Sequence, residues 1–125
     1  FLAEVGPRYL PDQSAPADDM YVFAYTITIT NTGDVPAQLI ARTWNVNDAN
    51  GHTEKVKGLG VVGQQPLLKP GQAFEYTSGT RLRTPTGTMH GSFFCVAEDG
   101  EKFDADIPMF VLDALSDAGG SRTLH

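Results

Sequence analysis

A chain of 125 residues is long enough for one domain with a real core and too short for a catalytic domain joined to a regulatory one. Hydrophobic residues at 41% and charged residues at 19%, with 13 Gly and 8 Pro, describe a soluble globular chain rich in turns and exclude a disordered or fibrous one. A formal net charge of −6 argues against wholesale binding to nucleic acid or to an anionic membrane, and no apolar run approaches the ~18 residues of a membrane helix.

The opening FLAEVGPRYL has no basic segment followed by an apolar one, so no signal peptide is legible there. The first clear element is YVFAYTITITN, where Tyr21, Phe23, Tyr25, Ile27 and Ile29 alternate with smaller or polar residues, the pattern of a strand with one buried face. In QLIARTWNVND a second such face holds Ile40, Trp44 and Val46 together with Arg42. Phe74 and Tyr76 mark a shorter strand in AFEYTSG, and Phe93, Cys95 and Ala97 another in SFFCVAE. Phe103, Ala105, Ile107, Met109 and Val111 form the last face, interrupted by Pro108, which cannot donate to a ladder and so predicts an edge or a bulge. Turn residues separate these runs at Asn31-Thr32-Gly33-Asp34, Asp48-Ala49-Asn50-Gly51, Lys69-Pro70-Gly71-Gln72, Thr84-Pro85-Thr86-Gly87 and Glu98-Asp99-Gly100-Glu101. About seven short antiparallel strands predict an all-β, immunoglobulin-like or fibronectin type III-like sandwich over residues 1–112, with residues 113–125 as a flexible tail. Trp44 is expected to fill the space between the sheets; the competing reading is a partly exposed strand Trp.

The stretch GLGVVG, residues 58–63, matches the G-x-G-x-x-G spacing that cradles pyrophosphate in dinucleotide-binding proteins. That device needs a buried strand leading in and a helix leading out. HTEKVK is too polar for a central strand, Pro66 and Pro70-Gly71 stand where the helix should run, and no Gly-Lys-Ser/Thr follows. Two readings remain. In one, the glycines allow close packing in a long inter-strand loop, with Val61 and Val62 tucked against the sandwich. In the other, the amides around Gly58, Gly60 and Gly63 form an anion nest aided by Lys55, Lys57 and Lys69. The loop lies in the basic part of the chain, with six Lys/Arg against three Asp/Glu in residues 42–83, whereas residues 98–117 hold seven acids against Lys102.

Other chemistry is sparse. His52, His90 and His125 lack the spacing of a zinc site, and Asp104 with Asp106 on one strand face cannot fill a hard cation's oxygen shell. Ser78-Gly79 lacks the nucleophile elbow, and Glu98, Asp99 and Glu101 sit together in one turn, where solvation explains them. Cys95 is the single cysteine, which rules out an intramolecular disulfide and favours a reducing compartment, by default the cytoplasm. Neither a metal nor another cofactor is expected.

RYLPDQS, YVFAYTITITN, the Arg42-Thr43-Trp44 step, VKGLGVVGQQPLLKPGQAFEYTSG, GTMHGSF and EDGEKFDADIP resemble the bacterial ApaG proteins over about residues 8–112. The resemblance implies a fibronectin type III-like sandwich, and a domain that recurs as a partner-binding module in eukaryotic F-box and polymerase-delta-interacting proteins. It implies an association with diadenosine tetraphosphate hydrolysis by name and gene neighbourhood, and with cobalt resistance and magnesium efflux by genetics, but no enzymatic activity. The family's glycine motif falls on Gly58, Gly60 and Gly63, with Lys57 and Leu59 where relatives often have Arg or Glu. The expectation is a cytoplasmic, non-enzymatic domain that binds another protein through loops or a sheet edge such as the Pro108 strand, with self-association through edges as a further possibility. The alternative is a sensor that binds a pyrophosphate-containing nucleotide at residues 58–63; an enzyme would need a base or metal that the sequence does not supply.

Overall fold

The alternating runs pair into two antiparallel sheets in a computed structural model of the chain, which describes residues 1–115. Among these residues eight strands follow in order: β1 (Leu2–Tyr9), β2 (Tyr21–Thr30), β3 (Ala37–Asp48), β4 (Thr53–Leu59), β5 (Leu67–Leu68), β6 (Ala73–Leu82), β7 (Thr86–Ala97) and β8 (Lys102–Asp113). One sheet runs β1-β2-β6 and the other β4-β3-β7-β8, with the two-residue β5 paired to β3. This is the expected sandwich. Phe23, Tyr25, Ile27 and Ile29 are all buried, so the alternation of β2 faces the core as read. At one side of the sandwich β1 packs along β8; at the other, the edges of β4 and β6 stand apart.

Several elements differ from the sequence reading. β1 was not read as a strand, because Gly6 and Pro7 break its pattern and few of its residues are buried. β4 is almost wholly exposed and shows no alternation, and Gly58 lies inside it and not in a loop. β6 runs for ten residues, with Ser78 and Gly79 in its interior, and β7 begins at Thr86 within a stretch read as a turn. Asp113 closes β8, and Ala114 is buried and donates its amide to the Pro85 carbonyl, so the first residues assigned to the tail belong to the domain. The remainder of that tail, residues 116–125, lies outside the described residues.

Two inserted residues decide which side chains face inward. The register of β3 against β7 shifts between Leu39 and Ala41, leaving Ile40 as the extra residue of a β-bulge. Leu39 is therefore buried on one side of the bulge and Trp44 and Val46 on the other, while Ile40 leaves the buried face on which the sequence placed it. In β8 the register shifts where Met89 and Gly91 face Phe110 and Ile107, so Pro108 marks both an edge strand and a bulge. Beyond it Leu112 turns inward, and Met109 and Val111, expected in the core, are exposed.

Trp44 is buried between the sheets, its ring 5.3 Å from Tyr25 of the opposite sheet and 5.9 Å from Phe110. Asn31, buried just past the end of β2, has its side chain fully used. Its amide nitrogen donates to the carbonyls of Val35 and Leu68, and its side-chain oxygen accepts from the Gly33 amide.

Gly91 pairs with Trp44, and a Cβ there would run into the Thr43 carbonyl, whereas a Cβ on Gly6 would meet open space. Gly91→Ala should cost about 2 kcal/mol or more in urea denaturation, and Gly6→Ala should stay within about 1 kcal/mol of the parent. Equal effects would show that the space over Trp44 is not limiting.

Candidate functional site

The glycine motif is held from three directions. Gly60 donates its amide to the carbonyl of Ile40, 2.7 Å away, which also accepts the Gln65 side-chain amide at 2.9 Å. The bulge residue thus docks the turn. Arg42 Nη1 donates to the carbonyls of Leu59 and Gly60 at 3.1 and 2.9 Å. Val61 and Gln64 exchange amide-to-carbonyl hydrogen bonds of 2.8 and 2.9 Å, which closes a two-residue turn. Its central residues, Val62 and Gly63, have φ of 43° and 80°, so both are left-handed, as in a type I′ hairpin turn. Gly60 is also left-handed, at φ 65°, and a Cβ on it would run into the Gln64 carbonyl. Gly58 is needed for room: a Cβ there would come 2.7 to 2.9 Å from the Arg42 guanidinium. Val61 is fully buried, but Val62, expected to tuck in beside it, is exposed.

The lysines read with these glycines stand differently. Lys55 pairs with Asn45 and Lys57 with Thr43, on the face opposite to that of the Arg42–Gly58 and Trp44–Val56 pairs. Lys69 lies beyond β5, with its amide bonded to the Gln72 side chain. The amides of Gly60, Val61 and Gln64 are all donated within the chain, so the turn offers little of the convergent N–H array of an anion nest.

A polar cluster that sequence reading did not single out lies on the inner faces of the open side. It gathers around Tyr25: Ser78 is its cross-strand partner in β6, Trp44 stacks edge-on against its ring, and the Arg42 charge acts on both Tyr25 and Tyr76. Trp44 Nε1 and Tyr76 Oη are buried and have no hydrogen-bond partner. Such orphans cost about 1 to 3 kcal/mol each. Arg42 on an otherwise apolar face was the one signal in the sequence that could have located the cluster. Further along the same side, a cleft of about 760 Å³ is lined by Val46, Asp48, His52, Glu54 and Lys55 on one wall and by Arg81, Leu82 and Arg83 on the other.

Burial pushes the Tyr25 phenol up, and Ser78 and Arg42 offset part of this. It pushes Tyr76 up much further, and proximity to Tyr25 adds to the effect. Cys95 is fully buried and its thiol is pushed up to about 11 by burial, the reverse of an activated nucleophile. His52 is exposed at the cleft, His90 is half-buried in β7, and His125 lies outside the described residues. Asp104 and Asp106 are exposed on β8, and no group of three or more His, Cys, Asp or Glu among the described residues is placed to hold a metal ion.

The ApaG domain model matches residues 11–97, a span that takes in the glycine turn and every member of the Tyr25 cluster. The chain belongs to the ApaG family. Protein ApaG of Acidovorax sp. (strain JS42) is 74% identical over 113 residues, covering 90% of this chain and 82% of that protein. Protein ApaG of Ralstonia nicotianae is 61% identical over 109 residues, covering 87% of this chain and 88% of its own. The crystal structure of an ApaA protein from Bordetella pertussis matches with a TM-score of 0.89 at 54% identity, covering 91% of this chain and 93% of that one. The matched span includes the glycine motif, and in this ApaG chain the motif builds a turn.

A β-branched residue at positive φ is strained, so Val62→Gly or Val62→Asn should raise stability by about 1 kcal/mol, read as a higher Tm. An unchanged or lower Tm would mean that the turn relieves that strain in solution. The raised thiol and phenols set an alkaline limit. The thiol's contribution is lost as pH rises from about 9 to about 11 and the phenols' as it rises above 10, because in each case the unfolded state ionises first. Urea titrations across that window should show falling stability, with a shallower fall in Tyr76→Phe and in Cys95→Ala; parallel curves would exclude these groups as the cause.

Proposed function

We propose that the chain is a non-enzymatic binding domain whose partner is another protein, engaged at the free edge of β4 and the apolar residues beside it. The observation that carries this reading is an apolar patch on the outer face of the four-strand path. Leu59, at 76% exposure, is in register with Ala41 and Phe94, and Leu67, at 56%, with Gln38 and Val96. Cross-strand partners share a face, so these side chains form one surface, with the exposed Val62 at its margin. The start of the β4 edge carries Lys55 and Lys57, which discourage strand addition, but its end at Gly58 and Leu59 has no charged side chain of its own. This favours β4 over the Pro108 strand, because β8 combines its bulge with Asp104 and Asp106 and has β1 packed along it. An extended segment with apolar side chains fits such an edge.

The single unpaired thiol favours the cytoplasm as the place where this happens. The family's link to cobalt resistance and magnesium efflux then passes through the partner and not through metal carried by this domain. The sensor reading has less behind it, since the turn's amides are largely committed and the lysines stand on another face.

Selecting extended peptides on the immobilised chain tests the proposal. Enriched apolar sequences should bind the parent, lose about tenfold or more in affinity with Leu59→Asp, and be indifferent to Met109→Asp on the opposite edge. Equal loss with both variants would overturn the assignment to β4. Saturable amide shifts at residues 58–63 with diadenosine tetraphosphate would move the function to the sensor reading, and turnover of that compound by pure protein would end the non-enzymatic one.

A further inference from the structure

The open side of the sandwich holds a concentration of hydrogen-bond donors with no acceptor to meet them. Trp44 is 2% exposed and Tyr76 7%, and the indole N–H of the one and the phenol of the other have no partner. Indole N–H can only donate, and a phenol held protonated by burial donates readily. Arg42 spends Nη1 on two main-chain carbonyls, which fixes the guanidinium over Gly58 and leaves its other N–H groups uncommitted. Among the described residues no carboxylate pairs with it. Ser78 lies across from Tyr25 in the β2–β6 ladder.

We propose that this cluster is a carboxylate site, in which a carboxylate seats against the Arg42 guanidinium and accepts the orphaned hydrogen bonds of Trp44 Nε1 and Tyr76 Oη. A planar guanidinium edge matches a carboxylate in geometry and charge. A monoanion suits the setting better than phosphate, because the cost of taking charge out of water rises steeply with charge. Access is provided. Arg42 and Ser78 are half-buried at the rim, and Val46, the next inward residue after Trp44, already lines the open cleft. Lys55, Arg81 and Arg83 outnumber Asp48 and Glu54 around that cleft, which favours entry of an anion. The site lies on the inner faces, away from the outer patch used in protein docking, so either can fail without the other. The carboxylate belongs either to a small organic acid or to the end of a peptide.

Trp44 is the sole tryptophan, so its fluorescence reports the site directly. Sodium acetate, sodium benzoate, N-acetyl-dialanine, its C-terminal amide and inorganic phosphate are titrated separately at constant ionic strength. Saturable emission changes are expected with carboxylates and not with the amide. Binding of acetate or benzoate assigns the site to free acids, and binding of the peptide acid alone assigns it to a chain terminus. Tyr76→Phe should weaken binding by roughly tenfold while leaving the ligand-free protein as stable or more so, which a merely structural tyrosine would not do. Arg42→Lys should weaken it at least as much. The proposal is overturned if no carboxylate saturates, if phosphate binds more tightly than every carboxylate, or if Tyr76→Phe leaves affinity unchanged.

Discussion

The contact on which the rest of the molecule depends is the meeting of Trp44 with Tyr25 and Phe110 between the sheets. Two β-sheets pack about 10 Å apart, a gap that aliphatic side chains fill only in pairs, and one indole crosses it alone. Its placement brings together a ring from β3, a ring from β2 and a ring from β8, and so fixes both sheets in one mutual position. That position has a cost, because the indole N–H ends up buried without an acceptor. The residue that locks the sandwich is thus also the residue that leaves it chemically incomplete. Fold and candidate site share this one side chain.

How much of this was legible follows from periodicity and its failures. β2 has no bulge, and its face was read correctly from Phe23 to Ile29. β3 and β8 each carry one inserted residue against β7, and in both the simple alternation was carried through the insertion onto the wrong face. Pro108 announced its bulge, since a missing donor has to fall where the ladder is broken. Ile40 announced nothing, because an isoleucine in a bulge looks like an isoleucine in a strand. β1 and β4 were missed for a different reason: an edge strand with little buried surface has no hydrophobic pattern to read, and only pairing with β2 and β3 defines it.

The glycine motif shows the same division. That it was not a dinucleotide fingerprint could be read from its flanks, because the absence of an outgoing helix is a local property. What it does instead could not, because its partners are distant in sequence. The carbonyl that docks Gly60 belongs to Ile40, one step past the Ala41–Leu59 pair of the β3–β4 ladder, and the space that Gly58 leaves matters only because Arg42 lies across it. Spacing records that glycines are required, and the requirement here is met by a tight left-handed turn and a guanidinium lying against the backbone.

The two open ends of the sheets are not equivalent. Where β1 lies along β8, the edges carry Pro7, Pro108 and a row of acids, all of which oppose further strand addition. Where β4 and β6 stand apart, Lys55 and Lys57 guard only the first part of the β4 edge. The unguarded part begins at Gly58, where the chain must turn, and the turn places Val61 in the core while leaving Leu59 and Val62 outside. A domain built only for stability would close or charge this side as it does the other. Keeping it open exposes apolar surface on the outer face and unpaired donors on the inner one, two costs that binding relieves and that folding alone does not.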